Sequence, residues 1–113
     1  MNLGPKGPMG LNALSAADAA RKLASGEITS EALVRDCLAR IEARDDVVQA
    51  WAFLDPDLAL KQAQARDAEP RRGPLHGMPI GIKDIFDTID MPTGHGFSPY
   101  QGKSWGVDSA CVA

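Results

Sequence analysis

Glycine and proline divide this sequence in two. Residues 12–69 hold one of each, Gly26 and Pro56, whereas residues 70–113 hold seven glycines and five prolines. Proline removes a backbone donor and fixes φ, and glycine carries an entropic cost inside helix or strand, so a stretch punctuated this densely cannot hold long regular elements. The first part is expected to be helical and the second to be loops around a short strand. No internal repeat or low-complexity tract is visible, and 113 residues leave room for one domain at most. Residues 1–11 mix Gly and Pro with one Lys and read as a flexible arm, with no apolar run fit for a signal peptide or membrane span.

Three helices are legible. The first begins at Ser15, with Asp18 three residues on in a weak capping box, and stops at Gly26, which suits a left-handed C′ position. The second starts near Thr29-Ser30 and carries Leu33, Val34, Cys37, Leu38 and Ile41 along one stripe, with Arg35, Asp36, Arg40 and Glu42 largely off it. The third is signalled by Asp55-Pro56, an N-cap followed by proline at the first helical position, and runs to about Ala68. Between the second and third, residues 50–54 read as a short strand or buried connector. Helices alone would make packing material, or a non-catalytic interaction module that offers the Leu33/Cys37/Ile41 stripe to a partner.

Charge and composition narrow the function classes. With 12 basic against 15 acidic residues and no basic stripe, the chain does not read as a nucleic-acid binder. No membrane partner is expected either. Leu, Ile, Val and Phe number 24 of 113, so the core is expected to be thin and to leave the chain marginally folded and prone to associate, a homo-oligomer included. Cys37 and Cys111 lie far apart and read as reduced packing residues in a cytoplasmic protein.

The informative stretch is Gly73-Pro74-Leu75-His76-Gly77-Met78-Pro79-Ile80-Gly81-Ile82-Lys83-Asp84. Pro79 to Ile82 reads as a strand in which Gly81 admits a neighbouring backbone, and it ends on Lys83. Burial there would favour a neutral amine able to take a proton, with Ile80, Ile82 and Ile85 as apolar walls and Asp84 turned elsewhere. The same spacing also suits a strand-end lysine whose head reaches water. Asp108 reads as the N-cap of a further helix with only Ser109 to Ala113 after it, so the chain is expected to stop inside an element.

This segment resembles the amidase signature family, whose early chain carries a Gly-Pro-Leu-His-Gly-(Ile/Met)-Pro stretch running into a hydrophobic strand and Lys-Asp. The similarity extends upstream through Gly26 to Ser30, Arg40-Ile41-Glu42, Ala50 to Phe53 and Asp55-Pro56. Downstream it takes in Asp87-Thr88, Met91-Pro92-Thr93 and Asp108 to Ala113. Phe97 departs from it, standing where many members have a small hydroxyl residue. The resemblance implies an α/β fold with helices around a mixed β-sheet, of which residues 1–113 would be an incomplete N-terminal segment: an arm (1–11), a helical part (12–69) and a strand and loop part carrying the lysine (70–113).

It also implies hydrolysis of a carboxamide by a Ser, cis-Ser, Lys triad in which Lys83 is the base, acting on a small-molecule amide with no cofactor. The two serines belong to a Gly-Ser-Ser-rich segment, and no adjacent serine pair exists here; Ser98, Ser104 and Ser109 are isolated. Acyl transfer needs a hydroxyl and oxyanion donors as well as a base, so the 113-residue chain alone is expected to be inactive. A second reading within the family is the amidotransferase subunit that releases ammonia from glutamine for use on charged transfer RNA, although residues 85–90 look more like general amidases.

Other motifs carry less. His76 and His95 are separated by eighteen residues, which matches no compact zinc spacing, so no metal is expected. Gly73, Gly77 and Gly81 fit no phosphate-binding fingerprint. Asp84, Asp87 and Asp90 recur every third residue but lack the rest of a calcium loop and read as solvated turn carboxylates. Tyr100 and Trp105 suit either a substrate mouth or a loop anchor.

Overall fold

A computed structural model describes residues 10–113. Most of the expected arm lies outside the described residues; its last two, Gly10 and Leu11, enter a 3-10 turn over Leu11–Ala13 rather than a free tail. The turn is held because Asp36 accepts the Asn12 backbone N–H at 2.7 Å and also the Asn12 side-chain amide.

Contacts divide the chain into two units, one comprising residues up to Gln49 with Asp55–Pro79 and the other Ala50–Leu54 with Ile80–Ala113. The first unit contains α1 (Ala16–Ser25), α2 (Ser30–Val48) and α3 (Pro56–Ala68). Each starts where its sequence signal lies. Ser15 Oγ accepts from Asp18 N, Thr29 Oγ1 from Ala32 N, and Asp55 Oδ1 from Leu58 N, satisfying one orphan donor per helix. Gly26 ends α1 at φ 76°, a left-handed conformation that suits a residue without Cβ. At α2's far end Gln49 takes the same conformation, φ 53°, without glycine's freedom.

Helix α2 packs against α3 and the 3-10 turn. Leu33 and Val34 are buried, Cys37, Leu38 and Ile41 half-buried, and Ala63 of α3 and Ala19 of α1 join the small core. The stripe expected to serve a partner is therefore buried at its N-terminal end. The α2 start is closed from α3, for Asp67 Oδ1 accepts the Ser30 N–H at 2.7 Å and Oδ2 the Glu31 N–H at 2.9 Å. Glu31 in turn accepts from Arg35 and Gln64, which hold its carboxyl below the usual carboxylate range.

The Gly73 to Pro79 stretch folds onto this corner. His76 N donates to Gly73 O and Met78 N to Leu75 O, while the His76 ring nitrogen Nε2 lies 2.7 Å from the Arg66 carbonyl and donates to it as the Nε2–H tautomer. Ser30 Oγ donates to Gly77 O at 2.6 Å. Gly77 has φ 87°, and a Cβ there would sit 3.2 Å from Ser30 Cβ, so both backbone conformation and close approach call for glycine. Arg71 donates to the Pro74 carbonyl, and Arg72 forms an ion pair with Glu69.

The second unit is built from turns. No strand forms among the described residues, which corrects the strands expected at Pro79 to Ile82 and at residues 50–54. The reason is the absence of a ladder: Ile80, Gly81 and Ile82 neither donate nor accept a backbone hydrogen bond among the described residues. Residues 50–54 are not a buried connector either, since Trp51 and Phe53 are each 39% exposed. The helix expected after Asp108 is replaced by one turn, with Val112 N and Ala113 N donating to Ser109 O. Asp108 does not cap it, because its carboxylate accepts the Ile89 N–H instead. Among the described residues no helix is long and apolar enough to cross a membrane.

Candidate functional site around Lys83

Lys83 closes the Pro79 to Lys83 stretch and opens a tight turn in which Phe86 N donates to Lys83 O at 3.0 Å. A second segment clasps that turn. Gly94 N donates to Asp84 Oδ1 at 2.7 Å, His95 N to Asp84 O at 2.8 Å, and Thr93 Oγ1 to Phe86 O at 3.1 Å. Asp84 is therefore engaged by the Gly94 backbone. It is not the solvated carboxylate that its spacing suggested.

Thr93 anchors the clasp. It is almost fully buried, its N–H donates to Lys103 O, and its carbonyl accepts the Trp105 indole N–H at 2.9 Å. Trp105 is thus a loop anchor. It also carries the Lys103 ammonium 4.2 Å above its ring and meets the Tyr100 and His95 rings edge-on. Asp87, likewise expected to be solvated, faces His95 Nε2 at 3.1 Å, while its carbonyl accepts Ser109 N. His95 sits at φ 56°, an uncommon conformation held by its own N–H bond to Asp84 and its ring contacts.

Beside the turn lies an open cleft of about 460 Å³ lined by Lys83 and Asp84, by the aromatic rings of Trp51, Phe53 and Phe86, and by Met91 and Pro92. Trp51 crosses the stretch at Gly81, where a Cβ would lie 3.4 Å from its ring. The apolar walls expected around Lys83 are only partly present. Ile82 is half-buried, but Ile80 and Ile85 are 74% and 48% exposed and Lys83 itself is exposed, because no paired sheet forms among the described residues for these side chains to pack upon. Ser98, Ser104 and Ser109 do not line the cleft. Cys37 is half-buried, with burial and the neighbouring Asp36 pushing its thiol up; Cys111 is exposed, not a packing residue.

Sequence reasoning singled out Lys83 but missed what fixes its turn. Asp84, Thr93 and Gly94 bind through one carboxylate, one hydroxyl and backbone groups, and no periodicity marks such contacts. The Gly-Pro-Leu-His-Gly stretch, by contrast, does not line the cleft; His76 and Gly77 hold the loop to α2 and α3.

Comparison with known proteins bears on the same stretch. A family model described as Amidase matches residues 32–113, which include Lys83. A glutamyl-tRNA(Gln) amidotransferase subunit of Streptomyces coelicolor is 44% identical over 93 residues, 79% of this chain and 19% of that protein. The subunit of the same name from Chloroflexus aggregans is 43% identical over 90 residues, 76% of this chain and 18% of that protein. AmiD of Mycobacterium tuberculosis, whose name proposes it as an amidase, is 34% identical over 107 residues, 91% of this chain and 22% of that protein. The chain thus spans about a fifth of the length of these relatives.

Proposed function

Since this chain belongs to the amidase family, we propose that it supplies the Lys83 base to an enzyme that hydrolyses a small carboxamide to a carboxylate and an amine or ammonia. The observation that carries this reading is the coincidence of three features at one residue. Lys83 lies within the family match, on a turn fixed by four hydrogen bonds, at the edge of a cleft with aromatic walls.

In the reading implied by the resemblance, the amine passes a proton between a cis-serine and the nucleophilic serine, both contributed by sequence outside residues 1–113. An amine can act so only when unprotonated, which exclusion of water favours. Lys83 is exposed among the described residues, so that exclusion is assigned to further protein covering the cleft, where the mixed β-sheet of the fold would also be completed. The serine attacks the amide carbonyl, the proton reaches the leaving nitrogen, and water releases the acyl group.

The amidotransferase reading is kept as a second one because the relatives bearing that name are 44% and 43% identical, against 34% for AmiD. The test compares the polypeptide from the whole reading frame with the 113-residue chain, on aliphatic and aryl amides and on glutamine. Turnover of simple amides by the long form alone supports the amidase; glutamine hydrolysis dependent on added partner subunits supports the second reading. Stoichiometric labelling of the 113-residue chain by a fluorophosphonate would overturn the assignment of the nucleophile to sequence outside it.

A further inference from the structure

We infer that Asp84 is a positioning residue for Lys83, acting through the Gly94-His95 backbone. The inference rests on the reading of Lys83 as the base.

A lysine on a tight turn gains orientation only if the turn itself cannot rotate. Here residue 84 is bound twice to one strip of backbone, by its side chain to Gly94 N–H and by its carbonyl to His95 N–H. The two bonds fix Asp84, the residue that follows Lys83, and Phe86 N to Lys83 O fixes the Lys83-Asp84 peptide through its carbonyl. Thr93, buried and bonded on both sides, keeps the strip in place.

The fit is tight from the opposite side as well. A Cβ at Gly94 would fall 3.0 Å from Asp84 Oδ2, inside ordinary contact distance, and no left-handed φ sets Gly94 apart. Glycine at 94 is therefore explained by room for the carboxylate. The carboxylate is the stronger acceptor for a backbone N–H, and an amide at the same place retains one carbonyl oxygen to accept it.

The two contacts separate positioning from mere stability. In the whole enzyme, Asp84→Ala removes the side-chain bond, Asp84→Asn keeps an acceptor, and Gly94→Ala pushes against the carboxylate without altering Asp84. Displacing a reacting group by about 1 Å costs on the order of 10²-fold. Asp84→Ala is therefore expected to lower kcat about 10²-fold with KM unchanged, Asp84→Asn to restore most of it, and Gly94→Ala to lower kcat in the same direction. Circular dichroism accompanies each. If Asp84→Ala does not fold, the contrast between Asp84→Asn and Gly94→Ala decides alone. Wild-type kcat in Gly94→Ala or in folded Asp84→Ala, or equal losses in Asp84→Ala and Asp84→Asn, would overturn the inference. Lys83→Ala serves as the separate control: if it retains full activity, the function assigned to Lys83 fails, whereas its inactivity beside a fully active Asp84→Ala sinks the positioning role alone.

Discussion

Asp67 closes the start of α2, and its removal has a magnitude that follows from the geometry. The first three helical N–H groups of α2 have no intrahelical acceptor. Thr29 takes the third, from Ala32, and Asp67 takes the first two, from Ser30 at 2.7 Å and Glu31 at 2.9 Å. Ser30 is buried, so its N–H loses a charged acceptor where water enters poorly, a loss of about 1.5–3 kcal/mol. The Glu31 bond is exposed, and water replaces most of it. The helix dipole adds about 0.3–1 kcal/mol for a carboxylate in this place. Asp67→Ala should therefore cost about 2–4 kcal/mol, and Asp67→Asn, which keeps one oxygen but no charge, about 1 kcal/mol. Urea unfolding followed by the helical circular dichroism signal measures both, and amide exchange at Ser30 and Glu31 locates the effect. Stabilities within about 0.5 kcal/mol of wild type, with unchanged exchange at those two amides, would refute the reasoning.

Gly77→Ala should destabilise by about 2 kcal/mol, because a left-handed φ and crowding against Ser30 act together; Gly26→Ala meets nothing within 4 Å and should cost only the conformational part, about 1 kcal/mol, in the same denaturation assay. Iodoacetamide near pH 8.5 should alkylate exposed Cys111 before Cys37, as read by mass spectrometry. The raised Cys37 thiol keeps its folded-state stabilisation below its unfolded pKa and loses it as pH rises through the folded value, so rapid Cys37 labelling at that pH would contradict the half-buried placement. Amides of Ile80, Gly81 and Ile82 should exchange quickly in the monomeric 113-residue chain, and strong protection there would show that these residues do form a paired strand.

The helical half was legible because its signals are local. Ser15, Thr29 and Asp55 each cap the helix whose first turn they precede, and Gly26 ends α1 within the same few residues. The strand at Pro79 to Ile82 was not, since an apolar run specifies a strand only when another segment supplies the ladder, and no described residue does. Lys83 was singled out by resemblance alone, its spacing also suiting an exposed strand-end lysine. The clasp around it joins residues 84 and 94 through a carboxylate and a backbone N–H, and Trp105 reaches the Thr93 carbonyl across twelve positions. Such contacts leave no periodic trace. Asp108 shows the limit of local signals from the other direction, for a good capping residue is used there as an acceptor for Ile89.

The central claim is that Lys83 takes and returns a proton. Its most direct measurement is the acylation rate of the whole enzyme as wild type, Lys83→Ala and Lys83→Arg across pH, with circular dichroism to establish folding. A general base contributes typically about 10²–10⁴-fold, so both folded variants should lose at least about that much, arginine included, because a guanidinium keeps its proton. Near wild-type acylation by the folded Lys83→Arg form would contradict the account, leaving Lys83 a fixed positive charge rather than a base.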